Sequence, residues 1–348
     1  MHLLDFLFGM AAGQPRFFAD GWGDRSVCGA IDPDTLMRRR PRRPAVRLGS
    51  LARAYGGLLR EVSFESPEER LPDCARIARA RLLMPEGPLS GMVLHLAASG
   101  DQGFAFRLRF AAPLLARGIG ALVLENPYYG ARKPKGQLGH AVRSVADLHL
   151  MGSATFQEGG ALLRWARDEL AAPRVGVTGF SMGGQMAAMV GAAIPFPVAV
   201  VPIAATFSPD SVFKGGVLRG VANLAALRDA GEPEAATLAR LTEMLERLSI
   251  ARLPAPVFPA AAIVVGTAED GVVPPAEARK IAAYWGCELR WLPAGHVTAV
   301  LRHQGAMRTA IADAIARLDA APARAEGRRR RGLAEPARRI LSLAARAS

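Results

Sequence analysis

The most restrictive feature of this chain is a short strand-like run that meets a serine flanked by glycines. Residues 175–178 are β-rich, the motif Gly179-Phe-Ser-Met-Gly follows, and residues 185–193 are small and favour a helix. A strand, a sharp turn and a helix with Ser181 at the apex are typical of a nucleophile elbow, where glycines let the two backbones pass closely. Glycine is abundant in this chain, so a chance turn is the alternative. The context favours Ser181 as a nucleophile, with the Met182 N–H directed at a substrate oxygen.

A serine nucleophile needs a base, and the chain contains six histidines. In folds with this elbow, the histidine follows the acid and lies in the loop after the last strand. Residues 287–292 alternate in polarity as a strand does, residues 293–296 read as a loop, and residues 305–318 predict an amphipathic helix. His296 is therefore the expected base. His303 is the competitor, and it is otherwise a surface histidine near a helix start.

The acid that orients the imidazole is expected between a buried strand and the next helix. Residues 261–266 form a continuous apolar run, and residues 267–275 read as the loop that follows it. Asp270 lies in this loop and is preferred because Gly271 follows it in a tight turn. Glu269 is adjacent and stays open as an alternative. Either carboxylate could instead cap the helix or carry a charge in its first turn.

The oxyanion of an acyl-transfer intermediate needs a second backbone N–H besides that of Met182. Residues 91–97 read as an apolar strand, and a loop follows it. Ala97 or Ala98 is therefore the expected second donor. His95 either braces this loop through its side chain or is an ordinary histidine at a strand end.

Strands and helices alternate along the rest of the chain. Residues 119–124 and 196–203 read as buried strands, and residues 145–169 read as a helix. This alternation predicts an α/β fold with a mostly parallel sheet and helices on both faces. The candidate site residues all follow strand ends, which is where such sheets bind ligands.

A single large catalytic domain is sufficient for 348 residues, and we expect it to span residues 61–320. Residues 1–60 are interpreted as an N-terminal extension that carries a basic run. Residues 204–260 are interpreted as a lid, or otherwise as a long excursion with one core helix. Residues 321–348 are expected to be a disordered basic tail.

Localisation signals are weak. No apolar stretch reaches the roughly 18 residues that a membrane span requires. Residues 1–13 are faintly similar to a signal peptide, but they lack a basic start and contain Asp5, so an amphipathic helix is predicted instead. Three cysteines, none in metal-binding spacing, favour a reducing cytoplasm.

The net charge of +13 is concentrated in two segments. The run at residues 38–43 contributes five positive charges, and the tail at residues 321–348 contributes a net of six, so the remaining body is nearly neutral. Such runs favour peripheral contact with an anionic membrane, with a solvated tail as the alternative. Nucleic acid is the weaker option because neither run contains an aromatic residue for base stacking.

Several motifs are distinctive in this sequence: Gly21-Trp-Gly, His95-Leu-Ala-Ala-Ser-Gly-Asp-Gln-Gly-Phe, Leu124-Glu-Asn-Pro-Tyr-Tyr-Gly-Ala-Arg-Lys-Pro-Lys, Val145-Ala-Asp-Leu-His-Leu-Met-Gly and, at the serine elbow, Gly179-Phe-Ser-Met-Gly-Gly. Together they resemble the abhydrolase domain-containing protein 18 family over residues 17–300. The resemblance implies an α/β-hydrolase fold and a serine hydrolase, with lipid esters as a proposed substrate class. It assigns the role of nucleophile to Ser181, that of acid to Asp270 and that of base to His296. The arginine-rich tail departs from the pattern of the family.

The sequence as a whole predicts a serine hydrolase that cleaves a carboxylic ester, either a lipid or another acyl ester. Ser181 would attack, His296 would carry the proton and Asp270 would hold the imidazole, with no metal or organic cofactor implied. A thioesterase or a peptidase would use the same triad. The alternative from another class is a non-catalytic protein of this fold that binds membranes or partners. The acyl chain, the head group and the oligomeric state stay open.

Overall fold

The computed structural model describes residue 5, residues 16–30, residue 37, residues 43–214 and residues 220–321. The predicted basic tail lies outside these residues except at residue 321. The basic run at 38–43 lies outside them except at residue 43. The amphipathic helix predicted at residues 1–13 is outside them except at Asp5.

A nine-stranded sheet forms the centre of the molecule, in the order β1-β2-β3-β5-β4-β6-β7-β8-β9. Strands β1, β2 and β3 pair antiparallel at one edge, β3 pairs antiparallel with β5, and every other pairing is parallel. The mostly parallel sheet is therefore confirmed. The strands are β1 (Arg47–Ala54), β2 (Gly57–Glu65), β3 (Ile77–Met84), β4 (Gly91–Leu96), β5 (Ile119–Leu124), β6 (Val175–Phe180), β7 (Ala199–Ile203), β8 (Ile263–Thr267) and β9 (Glu288–Leu292).

Helices cover both faces of this sheet, as the alternating pattern predicts. The central strands are mostly apolar because successive side chains point to opposite faces and both faces are buried. In β8, Val264 packs into one core with α4 and α8, whereas Ile263 and Val265 pack into the other core with α10. The helices are α1 (Arg25–Ala30), α2 (Ala105–Ala111), α3 (Val145–Asp168), α4 (Met182–Ala193), α5 (Asp210–Lys214), α6 (Leu224–Leu227), α7 (Glu234–Glu246), α8 (Pro275–Trp285), α9 (His296–Arg302) and α10 (Gln304–Arg317).

The sheet extends further toward the N-terminus than the boundary predicted at residue 60. That boundary falls inside β2, and β1 pairs with β2 in the same sheet. The two strands form a hairpin around Tyr55 and Gly56, whose φ angles of 53° and 75° suit a tight two-residue turn. Phe18 and Trp22 are also buried in the main core. Residues ahead of position 60 are thus part of the same body.

The segment between β7 and β8 contains helices α5, α6 and α7 rather than one helix. It contacts the N-terminal residues, because Phe17 N–H donates to the Val221 carbonyl and Asn223 N–H donates to the Phe17 carbonyl. Gln185, in α4, donates to the Leu248 carbonyl. The segment is therefore fixed over one side of the helix that follows Ser181.

Among the residues that the structure describes, no helix is both long enough and apolar enough to cross a membrane.

Candidate active site

Ser181 lies at the junction of β6 and α4 in a strained backbone conformation, with φ 56° and ψ −122°. A non-glycine residue with positive φ is costly, and such strain is concentrated at functional sites. The flanking glycines permit the turn: a Cβ on Gly179 would lie 2.3 Å from the Gly183 carbonyl oxygen. A side chain there would collide with backbone, so strand and helix meet as closely as the sequence motif predicts.

The loop after β4 lies against the start of α4. A Cβ on Gly183 would lie 2.5 Å from the Leu96 carbonyl oxygen and 2.8 Å from the carbonyl carbon of Ala97. Met182 is the first residue of α4, so its N–H has no acceptor within the helix. Ala98 lines the cavity in front of Ser181, whereas Ala97 is fully buried and is not among the described lining residues. Of the two candidates, Ala98 is thus the one that faces the cavity.

Asp270 and His296 form a direct contact. His296 Nδ1 lies 2.7 Å from Asp270 Oδ2, and both residues are buried. The hydroxyl of Thr267 also donates to Oδ2, while the N–H groups of Val272 and Val273 donate to Oδ1 at 2.9 and 2.7 Å. These donors fix the carboxylate. A carboxylate accepts, so Nδ1 carries the proton and Nε2 is left free to accept one.

The two competing residues do not take part in this contact. Glu269 is exposed to solvent beside the buried Asp270. His303 is half-buried and precedes α10, outside the described lining of the cavity. The structure therefore pairs His296 with Asp270 rather than with Glu269. The ring of His296 also packs on Phe180, with 4.7 Å between ring centroids, directly beside Ser181.

Ser181 and His296 line one cavity of about 390 Å³ at the carboxyl ends of the parallel strands. Its volume is within the range of small-molecule sites. The segment at residues 204–260 forms part of its wall, through Thr206, Pro209, Val212, Phe213, Val221 and Leu248. Most of the lining is apolar, and it includes Phe17, Phe106, Phe110, Leu148, Met151, Met182, Met186, Met189, Ile203, Val212, Phe213, Val221, Leu248, Val300, Leu301 and Met307.

His95 does not brace the loop after β4 through a hydrogen bond from Nε2, because that atom has no partner among the described residues. Burial lowers the pKa of His95 to about 3, so the ring is neutral.

The loop is instead held by Arg107, which is buried and donates to the carbonyls of His95, Leu124 and Gly103. An ion pair with Asp101 at 2.7 Å completes its environment. Sequence reasoning missed Arg107, since nothing in a single helix predicts carbonyl partners at the ends of two separate strands.

A second residue that sequence reasoning missed as a contributor to the site is Asp5, whose buried carboxylate accepts hydrogen bonds beside Asp270 and His296. Its only sequence signal is a charge inside an apolar run.

No group of three or more His, Cys, Asp or Glu side chains is arranged to hold a metal ion in the part of the chain that the structure describes.

Several solved structures with a similar fold are esterases. An acetyl xylan esterase from Paenibacillus sp. superposes with a TM-score of 0.57 at 16% identity, covering 90% of this chain and 99% of that one. Acetyl xylan esterase 1 from Thermoanaerobacterium sp. gives 0.52 at 18% identity, covering 88% and 98%. An esterase from Pyrococcus furiosus gives 0.51 at 14% identity, covering 77% and 97%. At these identities the likeness shows the α/β-hydrolase fold.

The family model of alpha/beta hydrolase domain containing 18 matches residues 15–235 and 229–317. The two matches together span the sheet, the elbow, the segment at residues 204–260 and the loops that carry Asp270 and His296. This agrees with the fold and with the resemblance in the sequence motifs. The chain belongs to the alpha/beta hydrolase domain containing 18 family, whose fold is that of a hydrolase.

Proposed function

We propose that this protein is a serine esterase that cleaves a carboxylic ester of a lipid or another acyl compound through an acyl-enzyme. The observation that carries the proposal is the contact of 2.7 Å between His296 Nδ1 and Asp270 Oδ2, in a cavity that Ser181 also lines. A strained serine, an oriented histidine and a buried acid are the parts of a nucleophilic triad.

Each residue then has one task in the reaction. Ser181 Oγ attacks the ester carbonyl while His296 Nε2 takes its proton, and Asp270 stabilises the imidazolium that forms. The N–H groups of Met182 and Ala98 donate to the oxyanion, with the positive end of α4 behind Met182. His296 returns the proton to the leaving alcohol. A water then attacks the acyl-enzyme by the same route, which releases the acid and restores Ser181.

The apolar lining of the cavity suits the acyl chain of an ester substrate. Met186 and Met189 lie on α4 below Ser181, while Val212 and Phe213 reach the cavity from the lid segment. An apolar chain would be favoured here by about 0.8 kcal/mol for each buried CH₂ group. Methionine adapts its shape readily, so chains of different length can be accommodated.

The substrate class can be tested with p-nitrophenyl esters of increasing acyl length, using Ser181→Ala as the control for background hydrolysis. We expect kcat/KM to rise from acetate to longer chains until the cavity is filled, and then to fall. Matched thioester and peptide substrates test the thioesterase and peptidase alternatives. Preference for either would contradict the ester assignment, and no turnover of any of the three would favour a non-catalytic role.

A further inference from the structure

Asp5 joins the two loops that carry Asp270 and His296. Its side chain is fully buried, and its carboxylate accepts hydrogen bonds from three backbone N–H groups. Oδ2 lies 2.9 Å from Gly271 N and 2.8 Å from His296 N, while Oδ1 lies 2.9 Å from Val297 N. One oxygen therefore holds both the residue after the acid and the backbone of the histidine.

Two of these three donors belong to the first turn of a helix. His296 and Val297 begin α9, and the first N–H groups of a helix have no acceptor within it. A carboxylate at this position also interacts favourably with the positive end of the helix. The Asp5 carboxylate consequently fixes where α9 begins, and with it the point from which the His296 side chain projects.

We propose that Asp5 is a positioning residue that sets the distance and orientation between Asp270 and His296, which rests on the proposed function of this site. Displacement of a reacting group by about 1 Å can cost roughly 100-fold in rate. Asp5 is not among the described residues that line the cavity, so it acts on the histidine rather than on substrate.

The two loops have a second connection, which separates positioning from folding. Glu269 N–H donates to the Ala294 carbonyl at 3.1 Å, and Ala268 N–H donates to the Leu292 carbonyl at 2.9 Å. Neither bond involves Asp5, so we expect both to remain when Asp5 is changed. Loss of the Asp5 carboxylate should then loosen the start of α9 without separating β8 from β9.

The kinetic test compares Asp5→Asn and Asp5→Ala with Asp24→Asn. Asp24 is an exposed acid near the same end of the chain, and its carboxylate accepts local bonds from Ser26. We expect kcat to fall about 10-fold in Asp5→Asn and about 100-fold in Asp5→Ala, in line with the cost of misplacing a catalytic group. KM should stay within about twofold because Asp5 does not line the cavity. Asp24→Asn should behave as the wild type.

A spectroscopic readout tests the same proposal without turnover. The Nδ1 proton of His296, shared with the Asp270 carboxylate at 2.7 Å, should give a low-field proton resonance in NMR spectra. Asp5→Asn should shift or broaden that resonance, and Asp24→Asn should leave it in place. The melting temperatures of all variants are measured alongside.

Unchanged kcat and an unchanged His296 resonance in Asp5→Asn, with only a lower melting temperature, would overturn the proposal and leave Asp5 a stabilising contact. A rise in KM at constant kcat would overturn it as well. Absence of esterase activity in the wild-type chain would contradict the proposed function instead. The NMR comparison then still decides whether Asp5 positions His296.

Discussion

The carboxylate of Asp270 holds His296 Nδ1 at 2.7 Å, although 26 residues separate them. Asp270 lies in the loop after β8, and His296 begins α9 after β9, so the parallel pairing of these strands brings the two loops together. The buried acid can therefore fix the imidazole with its free nitrogen toward the cavity.

Replacing Asp270 tests this relationship. Asp270→Asn should lower kcat by about 10³–10⁴-fold, because the amide stabilises the wrong tautomer of His296. Glu269→Gln is the matched control, since Glu269 is adjacent but exposed, and it should cost little. Steady-state kinetics on a p-nitrophenyl ester provide the measurement. A larger loss of kcat in Glu269→Gln than in Asp270→Asn would show that Glu269, and not Asp270, is the acid.

Replacing Gly179 tests the elbow. A Cβ at this position would lie 2.3 Å from the carbonyl oxygen and 2.4 Å from the carbonyl carbon of Gly183, and backbone atoms cannot move aside cheaply. Gly179→Ala should destabilise the fold by about 1–3 kcal/mol, as overpacking does, and should abolish labelling by a fluorophosphonate probe. Urea denaturation and gel fluorescence measure the two effects.

Gly305→Ala is the control for the elbow variant. Gly305 lies in α10, where an added Cβ meets nothing within 4 Å. Alanine should be neutral or stabilise the helix by up to about 1 kcal/mol, with labelling unchanged. If Gly179→Ala were as stable and as reactive as Gly305→Ala, the close approach at the elbow would be wrong.

The pKa of His95 predicts a pH dependence of stability. Burial lowers this pKa to about 3 from an ordinary value of 6.5, so the folded chain favours the neutral ring. Its contribution is fully present above about pH 6.5 and is lost as pH falls toward 3, at up to about 1.4 kcal/mol per pH unit. In His95→Leu, the loss of unfolding free energy between about pH 7 and 5 should be smaller by about 2 kcal/mol. Urea denaturation at both pH values measures it, and equal losses in the two chains would contradict it.

Arg132 and Glu158 form a fully buried ion pair between the loop after β5 and α3. Two parallel bonds of 2.8 and 2.6 Å join them, and Arg132 also donates to the Ala75 and Glu125 carbonyls. Glu158→Gln leaves the guanidinium without its counter-charge and should cost about 3–5 kcal/mol in urea denaturation.

Its control is an exposed ion pair of the same type, between Arg53 and Glu86. Glu86→Gln should cost less than about 1 kcal/mol, because solvent screens exposed charges. Similar losses in Glu158→Gln and Glu86→Gln would mean that burial does not set the cost of breaking these pairs.

Short sequence patterns predicted the elements whose conformation depends mainly on residues close in the chain. The apolar strands, the helices between them and the turn at Ser181 follow from periodicity and from glycine spacing, and most of their ends agree within a few residues. The family resemblance and the order of chain elements placed Asp270 and His296 in facing loops. The antiparallel strands β1, β2 and β3 were missed because their alternation is partly polar and the turn between β1 and β2 lacks an Asn-Gly or Asp-Gly signal.

Contacts between distant parts of the chain could not be predicted in this way. Asp5 lies 291 residues from His296, and its sequence context shows only a charge in an apolar run. Arg132 is one of many arginines, and only the fold shows that Glu158 is buried against it. Pairings of this kind depend on tertiary packing, which a single sequence does not encode in any short window.

The most direct test of the account is the site at which a fluorophosphonate probe bonds to the protein. Such a probe reacts with a serine only when a base activates it in an assembled site. Intact mass and peptide fragmentation should find one adduct on Ser181 in the wild-type chain. No adduct should form in Ser181→Ala, whose circular dichroism spectrum should be unchanged. An adduct on another residue, or labelling that persists in Ser181→Ala, would contradict the assignment of Ser181 as the nucleophile.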